Sequence, residues 1–265
     1  MLYVHGYGDE EAARLRDQAD ALTDLLHHDT AYPAGATVLE AGCGVGAQTV
    51  TLARNSPDAA ITSIDISPAS LAQARRFAAE AGVQNVTFAA ADIYHLPFAA
   101  ESFDHVFACF VLEHLRDPDR ALAALGRVLK PGGTITAIEG DHGSAYFHPD
   151  SDAARRAIRC LIELQRYAGG NAEIGRALFP MLTDAGFRDV CVSPRMVYVD
   201  GNTPPLAEIF TKRTFTAMIE GVRAPAIDAG MIEAQDFDRG IVALNRAAEP
   251  DGVFCYTFFK AVAVR

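Results

Sequence analysis

Val38-Leu39-Glu40-Ala41-Gly42-Cys43-Gly44-Val45-Gly46-Ala47-Gln48-Thr49 is the stretch that decides the fold of this 265-residue chain. A short apolar run leads into an acidic residue, then into three glycines at alternate positions and a sequence able to form a helix. That pattern predicts a strand, a tight turn and a helix. Because glycine has no Cβ, it adopts positive φ at low cost and lets a bound molecule lie against the backbone. We therefore expect a ligand on this turn.

The spacing of the glycines narrows the choice of ligand. A dinucleotide-binding turn reads G-x-G-x-x-G and places a pyrophosphate at the N-terminus of the following helix, whereas the spacing here is G-x-G-x-G. Glu40 lies two residues before Gly42, where a carboxylate would repel a pyrophosphate but could pair with a cationic ligand. This spacing disfavours a nicotinamide-dependent dehydrogenase.

Four later segments extend the pattern. Asp65 ends the second predicted strand, Asp92 follows the third strand, Phe107-Ala108-Cys109-Phe110-Val111-Leu112-Glu113-His114-Leu115 covers the end of the fourth strand, and Leu125-Gly126-Arg127-Val128-Leu129-Lys130-Pro131-Gly132-Gly133 leads into the fifth. With the glycine turn, these segments resemble the core of class I S-adenosylmethionine (SAM) methyltransferases of the small-molecule type. The resemblance covers about residues 36–140 and implies SAM as cofactor, with S-adenosyl-L-homocysteine as its product.

The resemblance also implies roles for single residues. Asp65 would accept hydrogen bonds from both ribose hydroxyls, and Asp92 would receive the adenine amino group while Ile93 packs on the ring. An amphipathic helix predicted over residues 9–28 precedes the core. Its N-terminal region is interpreted either as an ordered tail or as a segment that closes over the amino-acid end of SAM. The residues expected at the cofactor are Tyr7, Arg14, Gln18, Glu40, Gly42, Cys43, Gly44, Gly46, Gln48, Asp65, Ile66, Asp92, Ile93, Cys109, Phe110 and His114.

Strands alternate with helices of ten or more residues up to residue 140, which predicts a parallel, doubly wound α/β sheet. The resemblance implies a Rossmann-like sheet of seven strands in the order 3-2-1-4-5-7-6, with strand 7 antiparallel. We interpret residues 1–265 as a single methyltransferase domain. It would consist of an N-terminal lid segment with its helix (1–35), a SAM-binding core (36–140) and an acceptor-binding half (141–265) with a helical cap insertion at 204–248.

A polar stretch follows the fifth predicted strand and reads Glu139-Gly140-Asp141-His142-Gly143-Ser144-Ala145-Tyr146-Phe147-His148. Ligands of open α/β sheets bind outside the carboxyl ends of the strands, so we expect this stretch to be a loop that faces the methyl group. Glu139, Asp141 or His142 is then a candidate general base. A metal site and a purely structural polar loop are the alternatives, although the spacing is not distinctive of a metal site. His114 fits a structural role as well as a catalytic one.

The C-terminal half offers weaker indications about the acceptor. Glu139–Ser144, Gly169-Gly170-Asn171 and Phe254-Cys255-Tyr256-Thr257-Phe258-Phe259 resemble a bacterial group of natural-product methyltransferases that act on indole C3 of tryptophan-derived compounds, such as a cyclodipeptide. An O- or N-methyltransferase and a non-catalytic SAM-binding module remain alternatives. The candidate acceptor contacts are Tyr3, Tyr146, Arg166, Arg195, Tyr198 and Phe215.

Composition limits the partners and the compartment. The net charge is −11 and the pI is about 5.1, and the sequence lacks the basic patch that is typical of nucleic-acid binders. Five scattered cysteines without a C-x-x-C pair indicate free thiols in a reducing compartment. The sequence shows no signal peptide, membrane-spanning run or metal motif. We therefore expect a cytoplasmic enzyme with a small-molecule acceptor, no metal, no nucleic acid and no membrane partner. A homodimer is compatible with the sequence.

Overall fold

The computed structural model describes residues 22–265. Residues 22–27 are helical, so this part of the predicted helix over 9–28 is described and the rest lies outside the described residues. The strands are β1 (Thr37–Ala41), β2 (Ala60–Asp65), β3 (Val86–Ala90), β4 (Phe103–Cys109), β5 (Leu129–His148), β6 (Arg188–Val199) and β7 (Val253–Val264). The helices are α1 (Ala47–Asn55), α2 (Pro68–Glu80), α3 (Pro118–Val128), α4 (Asp152–Tyr167), α5 (Leu178–Asp184), α6 (Arg223–Asp228) and α7 (Ala234–Arg246).

The seven strands form one sheet in the order β3-β2-β1-β4-β5-β7-β6, as predicted. Strands β1 to β5 are parallel where they pair. β7 runs antiparallel to β5, because Gly132 near the start of β5 donates to Arg265 just past the end of β7, whereas Ser144 late in β5 accepts from Thr257 early in β7. The predicted Rossmann-like α/β class is therefore confirmed.

Contacts divide the chain into two compact units. The core unit contains residues 23–139, 174–194 and 259–265, and among the described residues the second unit contains 22, 140–173 and 195–258. Residue 140, where the sequence analysis ends the SAM-binding core, begins a segment of the second unit, and residues 174–194 and 259–265 belong to the core unit by their contacts. The predicted division into lid segment, core and acceptor half stays a prediction.

In the core unit, the pairing of the strands aligns their carboxyl ends at one edge of the sheet. Ala41 at the end of β1 pairs with Ile64 of β2 and with Ala108 of β4, and Cys109 pairs with Ile138 of β5. Most residues of β1, β2 and β4 are buried, as expected for a parallel sheet that is covered on both faces. Residues that follow the four strands therefore emerge side by side.

Two helices of the core unit begin with a side-chain cap. Ser67 accepts from the Ser70 backbone N–H at the start of α2, and Asp117 accepts from the Arg120 N–H at the start of α3. Each cap is followed by a proline at the first helical position, where no backbone donor is needed. The caps fix where the chain leaves β2 and where it turns back after β4.

The prediction of a loop after the fifth strand is wrong. Residues 140–148 continue β5, which is 20 residues long. Their backbone groups find partners because β7 is also long and lies beside β5 in the sheet. Glycine and polar residues suggested a loop, but strand pairing at long range overrides local preference.

The second unit contains a helical segment, residues 204–220, whose central part Ala207–Thr216 is a π-helix. Further along the predicted helical cap insertion (204–248), the chain forms α6 and α7, which are separated at Gly230 with φ of +67°. Gly240 lets α7 approach α4, since a Cβ there would lie 2.7 Å from the Ala153 carbonyl oxygen. Within residues 22–265, no helix has the length and apolar character needed to cross a bilayer.

Candidate active site

The glycine turn after β1 is closed by protein on two sides and open on a third. Gly42, Gly44 and Gly46 have φ of +73°, +52° and +83°. A Cβ on Gly42 would lie 2.6 Å from the Val111 side chain, and one on Gly46 would lie 3.0 Å from Ala74. Beside Gly44, no heavy atom of the described residues lies within 4 Å of the corresponding position. The turn therefore has room for a ligand at Gly44.

Asp65 joins this turn to the end of β2. Its Oδ2 accepts from the Gly44 N–H at 2.9 Å and its Oδ1 accepts from the Ser67 N–H at 2.8 Å. A carboxylate has about four lone-pair sites, so Asp65 can also accept two ligand hydroxyls. The next side chain, Ile66, is 63% exposed, which provides an apolar surface at the same place. This arrangement fits the ribose and base of a nucleoside such as that of SAM.

Asp92 follows β3 and is held in place by its own turn. Its Oδ1 accepts from the Tyr94 N–H at 2.9 Å, and Oδ2 lies 3.0 Å from Nδ1 of His95. The hydrogen bond with His95, followed by that from Tyr94, holds the pKa of Asp92 below its usual range. Ile93 is half-buried and packs against the core. Asp92 therefore remains an ionised acceptor at neutral pH, as its predicted role requires.

Glu40 lies at the same strand edge, but its carboxylate turns into the interior. It is 2% exposed and accepts from Thr49 Oγ at 2.7 Å and from Ser63 Oγ at 2.5 Å. Burial is the main cause that raises the pKa of Glu40 to about 7, and the Asp65 charge adds to it. Glu40 therefore ties α1 to β2, and its predicted contact with a cationic ligand stays a prediction.

Glu139, at the same edge on β5, shapes the segment after β4. Its Oε1 accepts from the backbone N–H groups of Val111 at 3.0 Å and Leu112 at 2.8 Å, and its Oε2 accepts from that of Glu113 at 3.4 Å. The preceding residue, Phe110, has φ of +57°, an unusual conformation for a residue with a side chain. Burial, then repulsion by Glu113, raises the pKa of Glu139 well above its usual range.

The other core-unit residues predicted to contact the cofactor are buried or make contacts within the protein. Cys43 and Cys109 are buried thiols, and burial raises the pKa of each. Gln48 on α1 accepts a hydrogen bond from Nε2 of His27 at 2.7 Å. His114 ends a short 3-10 helix, Leu112–His114, and its side chain is partly buried. None of these contacts tests a role in cofactor binding.

In the second unit, the candidate bases lie on the extended part of β5. Asp141 is 3% exposed and His142 is 7% exposed. The His142 backbone N–H donates to the Ala172 carbonyl at 2.9 Å, and Nδ1 of its ring lies 2.6 Å from the Tyr256 hydroxyl. Ser144 donates to the Asp141 carbonyl. Among the described residues, no group of three or more metal-binding side chains is arranged to hold an ion.

Sequence reasoning did not single out Tyr256, although the signal was present. Phe254, Tyr256 and Phe258 alternate along β7 and so share one face. They pack with Phe210 and Phe215 of the π-helix, with ring centroids 4.7–6.1 Å apart. His142 joins this aromatic cluster through Tyr256 and Phe215. The cluster therefore includes the hydrogen-bonded pair of His142 and Tyr256.

The residues of the second unit that were predicted to contact the acceptor differ in burial and in their neighbours. Phe215 is 1% exposed and its ring centroid lies 6.3 Å from that of His142. Tyr146 and Tyr198 are about half exposed, and Arg195 is half-buried on β6. Arg166 lies 3.1 Å from Glu163 on the same helix. The structure thus brings Phe215 next to His142.

Four predicted site residues cannot be placed. Tyr3, Tyr7, Arg14 and Gln18 lie outside the described residues. Their predicted roles at the cofactor and the acceptor stay predictions.

Part of the core unit matches a known protein family. Residues 39–137 match the family described as "Methyltransferase domain". The chain is 36% identical over 179 residues to a 27-O-demethylrifamycin SV methyltransferase of Amycolatopsis mediterranei, an alignment that covers 64% of this chain and 65% of that protein. The chain spans between 34% and 65% of the length of such curated relatives.

Solved structures agree with the fold. A geranyl diphosphate C-methyltransferase of Streptomyces coelicolor A3(2), in complex with Mg²⁺, geranyl-S-thiolodiphosphate and S-adenosyl-L-homocysteine, superposes with a TM-score of 0.53 at 18% identity. The superposition covers 94% of this chain and 75% of that one. The YcgJ protein of Bacillus subtilis gives a TM-score of 0.58 at 16% identity, covering 96% and 98%. These likenesses show the fold.

Proposed function

We propose that this chain carries a class I SAM-dependent methyltransferase domain and that the whole protein transfers the methyl group of SAM to a small organic acceptor of the natural-product kind. The observation that carries the proposal is the open side of the glycine turn at Gly44, with the Asp65 carboxylate bonded to that turn and Ile66 exposed beside it. The match over residues 39–137 supports SAM as the molecule for this site. The rifamycin relative supports an acceptor of the secondary-metabolite class.

For the acceptor, we propose the indole ring of a tryptophan-derived compound, methylated at C3. The buried aromatic cluster and the His142–Tyr256 pair that it contains support a flat, apolar acceptor that carries an N–H group. SAM supplies an electrophilic methyl group, so the chain's own residues must mainly align the acceptor and take up its proton. The C3 carbon forms the new bond to the methyl carbon, and the carbon–sulfur bond breaks with its electron pair left on sulfur. The indole N–H proton passes to the protein, giving a 3-methyl-3H-indole and S-adenosyl-L-homocysteine.

We propose His142 as the group that takes this proton. It is the candidate base that contacts the aromatic cluster, and a neutral imidazole accepts protons near neutral pH. Glu139 has a different role, since its two oxygens serve three backbone N–H groups of the segment after β4. We assign it to positioning that segment. Asp141 remains a candidate next to His142 in the chain.

The five cysteines are free thiols. They support the part of the proposal that places the protein in a reducing, cytoplasmic compartment.

Competition among acceptors tests this function. Purified protein is incubated with SAM carrying a deuterated methyl group and with equal amounts of a cyclodipeptide containing tryptophan, a phenol and an aliphatic amine. The proposal expects the label on the indole carbon of the first compound. Label on the phenol or the amine alone would replace the indole acceptor by an O- or N-acceptor. SAM binding without transfer to any of a wider set of acceptors would favour a non-catalytic module.

A further inference from the structure

Asp92, His95 and Arg120 form a chain of side-chain contacts in the core unit. Nδ1 of His95 lies 3.0 Å from Oδ2 of Asp92, and Nε2 of the same ring lies 2.7 Å from Nη2 of Arg120. The His95 side chain is 67% exposed. The chain of contacts can therefore be altered by substitution without disturbing the buried core.

The chemistry of arginine fixes the direction of both hydrogen bonds. A guanidinium group carries only donors and keeps its charge in proteins. Arg120 must therefore donate, and Nε2 of His95 must accept through its lone pair. The imidazole is then neutral with its proton on Nδ1, and this proton is donated to Oδ2 of Asp92. The chain runs in one direction, from Arg120 through His95 to Asp92.

Arg120 is anchored at the start of α3. Its backbone N–H donates to Oδ1 of the helix cap Asp117 at 3.0 Å, and the Asp117 backbone N–H donates to the Tyr94 hydroxyl at 3.2 Å. The guanidinium carbon lies 5.3 Å from the centroid of the Tyr94 ring, which is a cation–π distance. The helix dipole disfavours a cation in the first turn of a helix, so helix stability does not explain an arginine at this position.

The strand register places Asp92 beside the site proposed for the ribose. Asp65 at the end of β2 pairs with Ala90 of β3, and the Ala91 N–H donates to the Asp65 carbonyl at 3.1 Å. Asp92 is the next residue and emerges at the same edge, one strand further along. An ionised carboxylate accepts hydrogen bonds but donates none, so at this place it favours a base with an amino group, as in adenine.

We infer that His95 and Arg120 are positioning residues that hold the Asp92 carboxylate for the amino group of adenine. The Tyr94 N–H already holds Oδ1 of Asp92, and the His95 Nδ1–H holds Oδ2, so the carboxylate cannot rotate freely. Arg120 fixes the tautomer that makes the second hydrogen bond possible. This inference rests on the proposed function, because the adenine is that of SAM.

The tautomer of His95 can be observed in the wild-type protein. In protein labelled with ¹⁵N at histidine, the chemical shifts of the two ring nitrogens distinguish a protonated nitrogen from one with a free lone pair. The His95 signals are assigned by their loss in His95→Asn. The inference expects a neutral ring with its proton on Nδ1 in slightly alkaline buffer. A ring protonated on Nε2, whether neutral or cationic, would overturn it.

Ligand selectivity provides the second test. Calorimetry measures the Kd of S-adenosyl-L-homocysteine and that of its analogue in which hydrogen replaces the adenine amino group. The ratio of the two Kd values reports what the amino group contributes to binding. We expect His95→Ala to reduce this ratio about three- to tenfold, as for the loss of one hydrogen bond, and Arg120→Met to reduce it by a smaller factor. A merely structural role would weaken both ligands equally and leave the ratio unchanged.

Three variants serve as controls for the ratio. His95→Asn keeps an N–H donor near the position of Nδ1 and should restore most of it. In an Asp92→Ala background, His95→Ala should have no further effect, because its partner is gone. Arg76→Met, at an exposed position on α2 where Arg76 lies 3.9 Å from Glu80, should not change the ratio.

The outcomes separate this inference from the proposed function. If the wild type prefers S-adenosyl-L-homocysteine to the analogue and His95→Ala does so equally, only the inference fails. If the wild type binds the two ligands with the same affinity, Asp92 does not recognise the amino group, and the inference fails while the cofactor site stands. If the wild type binds neither S-adenosyl-L-homocysteine nor SAM, the proposed function itself fails.

Discussion

At the scale of single residues, the buried carboxylate of Glu40 has a definite effect on stability. Its partners are two hydroxyl groups, Thr49 Oγ and Ser63 Oγ, and it has no cation among the causes that set its pKa. Two hydroxyl groups offset only part of the free-energy cost of burying an ionised carboxylate. The protein therefore binds a proton at Glu40 more tightly when it is folded than when it is unfolded.

This difference predicts the direction of the pH dependence. The pKa of Glu40 is raised from 4.5 to about 7 in the folded protein, so its contribution to the free energy of unfolding is fully present below pH 4.5 and is lost as the pH rises through 7. Linkage makes this loss on the order of 3 kcal/mol. Urea denaturation at a series of pH values should show that Glu40→Gln flattens the decline between these limits.

Glu80→Gln serves as the control for this experiment. Glu80 is exposed on α2 and pairs loosely with Arg76 at 3.9 Å, so its substitution should leave the slope of stability against pH unchanged. An identical slope for Glu40→Gln and the wild type would contradict the buried, hydroxyl-bonded setting of Glu40.

Asp65 is the residue for which we predict the largest effect on the cofactor. Asp65→Ala removes the acceptor for the Gly44 and Ser67 N–H groups and the expected acceptor for the ribose hydroxyls. We expect SAM affinity, measured by calorimetry, to fall at least about tenfold, which is the equivalent of one charge-assisted hydrogen bond. Asp58→Ala, at an exposed position before β2, should not change it. Equal affinities for the wild type and Asp65→Ala would disprove this cofactor geometry.

The roles of single residues were harder to predict than their positions. The order of residues places Glu40, Asp65, Asp92 and Glu139 at strand ends. The structure keeps the first three there, whereas Glu139 lies within the long strand β5. The direction of a side chain depends on which hydroxyls and N–H groups surround it in three dimensions. For Glu40 and Glu139 those partners come from other strands and helices, and local sequence does not show them.

At the scale of elements, the glycine turn permits a matched comparison. Gly44 and Gly35 have φ of +52° and +80°, and among the described residues no heavy atom lies within 4 Å of the place that a Cβ would take at either glycine. Alanine at either position should therefore cost a similar free energy of unfolding, about 1–2 kcal/mol, through backbone strain.

The two substitutions should differ in ligand binding. At Gly44 the added methyl group would occupy the open side of the turn, so Gly44→Ala should weaken SAM binding strongly, whereas Gly35→Ala should not. Thermal unfolding gives the stability of each variant and calorimetry gives its affinity. Equal affinities in the two variants would show that the open side of Gly44 is not the cofactor site.

The segment after β4 depends on Glu139. Glutamine keeps one acceptor oxygen but replaces the other by a donor, so Glu139→Gln should cost about 1 kcal/mol of stability and reduce SAM affinity modestly. Glu139→Ala leaves three buried N–H groups without their partner and should cost several times more. Denaturation and SAM titration of both variants check this order. A loss of kcat in Glu139→Gln with unchanged SAM affinity would instead indicate that Glu139 takes the acceptor's proton.

Most elements up to residue 140 were predictable because each is specified locally. The pairs Ser67-Pro68 and Asp117-Pro118 are typical helix starts and begin α2 and α3. The apolar runs in the sequence match buried strands. Residues 140–148 were not, since their strand conformation depends on β7, which is distant in the chain. The π-helix at Ala207–Thr216 has no reliable signal in sequence, because it differs from an α-helix only in hydrogen-bond spacing.

At the scale of the whole molecule, the two units carry different parts of the proposed chemistry. The core unit contains the glycine turn, Asp65, Asp92 and Glu139, and the second unit contains the His142–Tyr256 pair in its aromatic cluster. The methyl donor could be predicted because the residues expected to bind it follow a widely shared order of strands and turns. The acceptor could not, because the side chains proposed to recognise it come together from distant positions such as 142, 215 and 256.

The most direct test of the proposed function follows a methyl group from donor to acceptor. The protein is incubated with SAM carrying a deuterated methyl group and a tryptophan-containing cyclodipeptide, and mass spectrometry quantifies the labelled product and S-adenosyl-L-homocysteine together. We predict equal amounts of the two products with the wild type, and a strongly reduced yield of both with Asp65→Ala. A wild-type protein that forms neither product with this or any other small-molecule acceptor, although it is folded, would contradict the assignment as a methyltransferase.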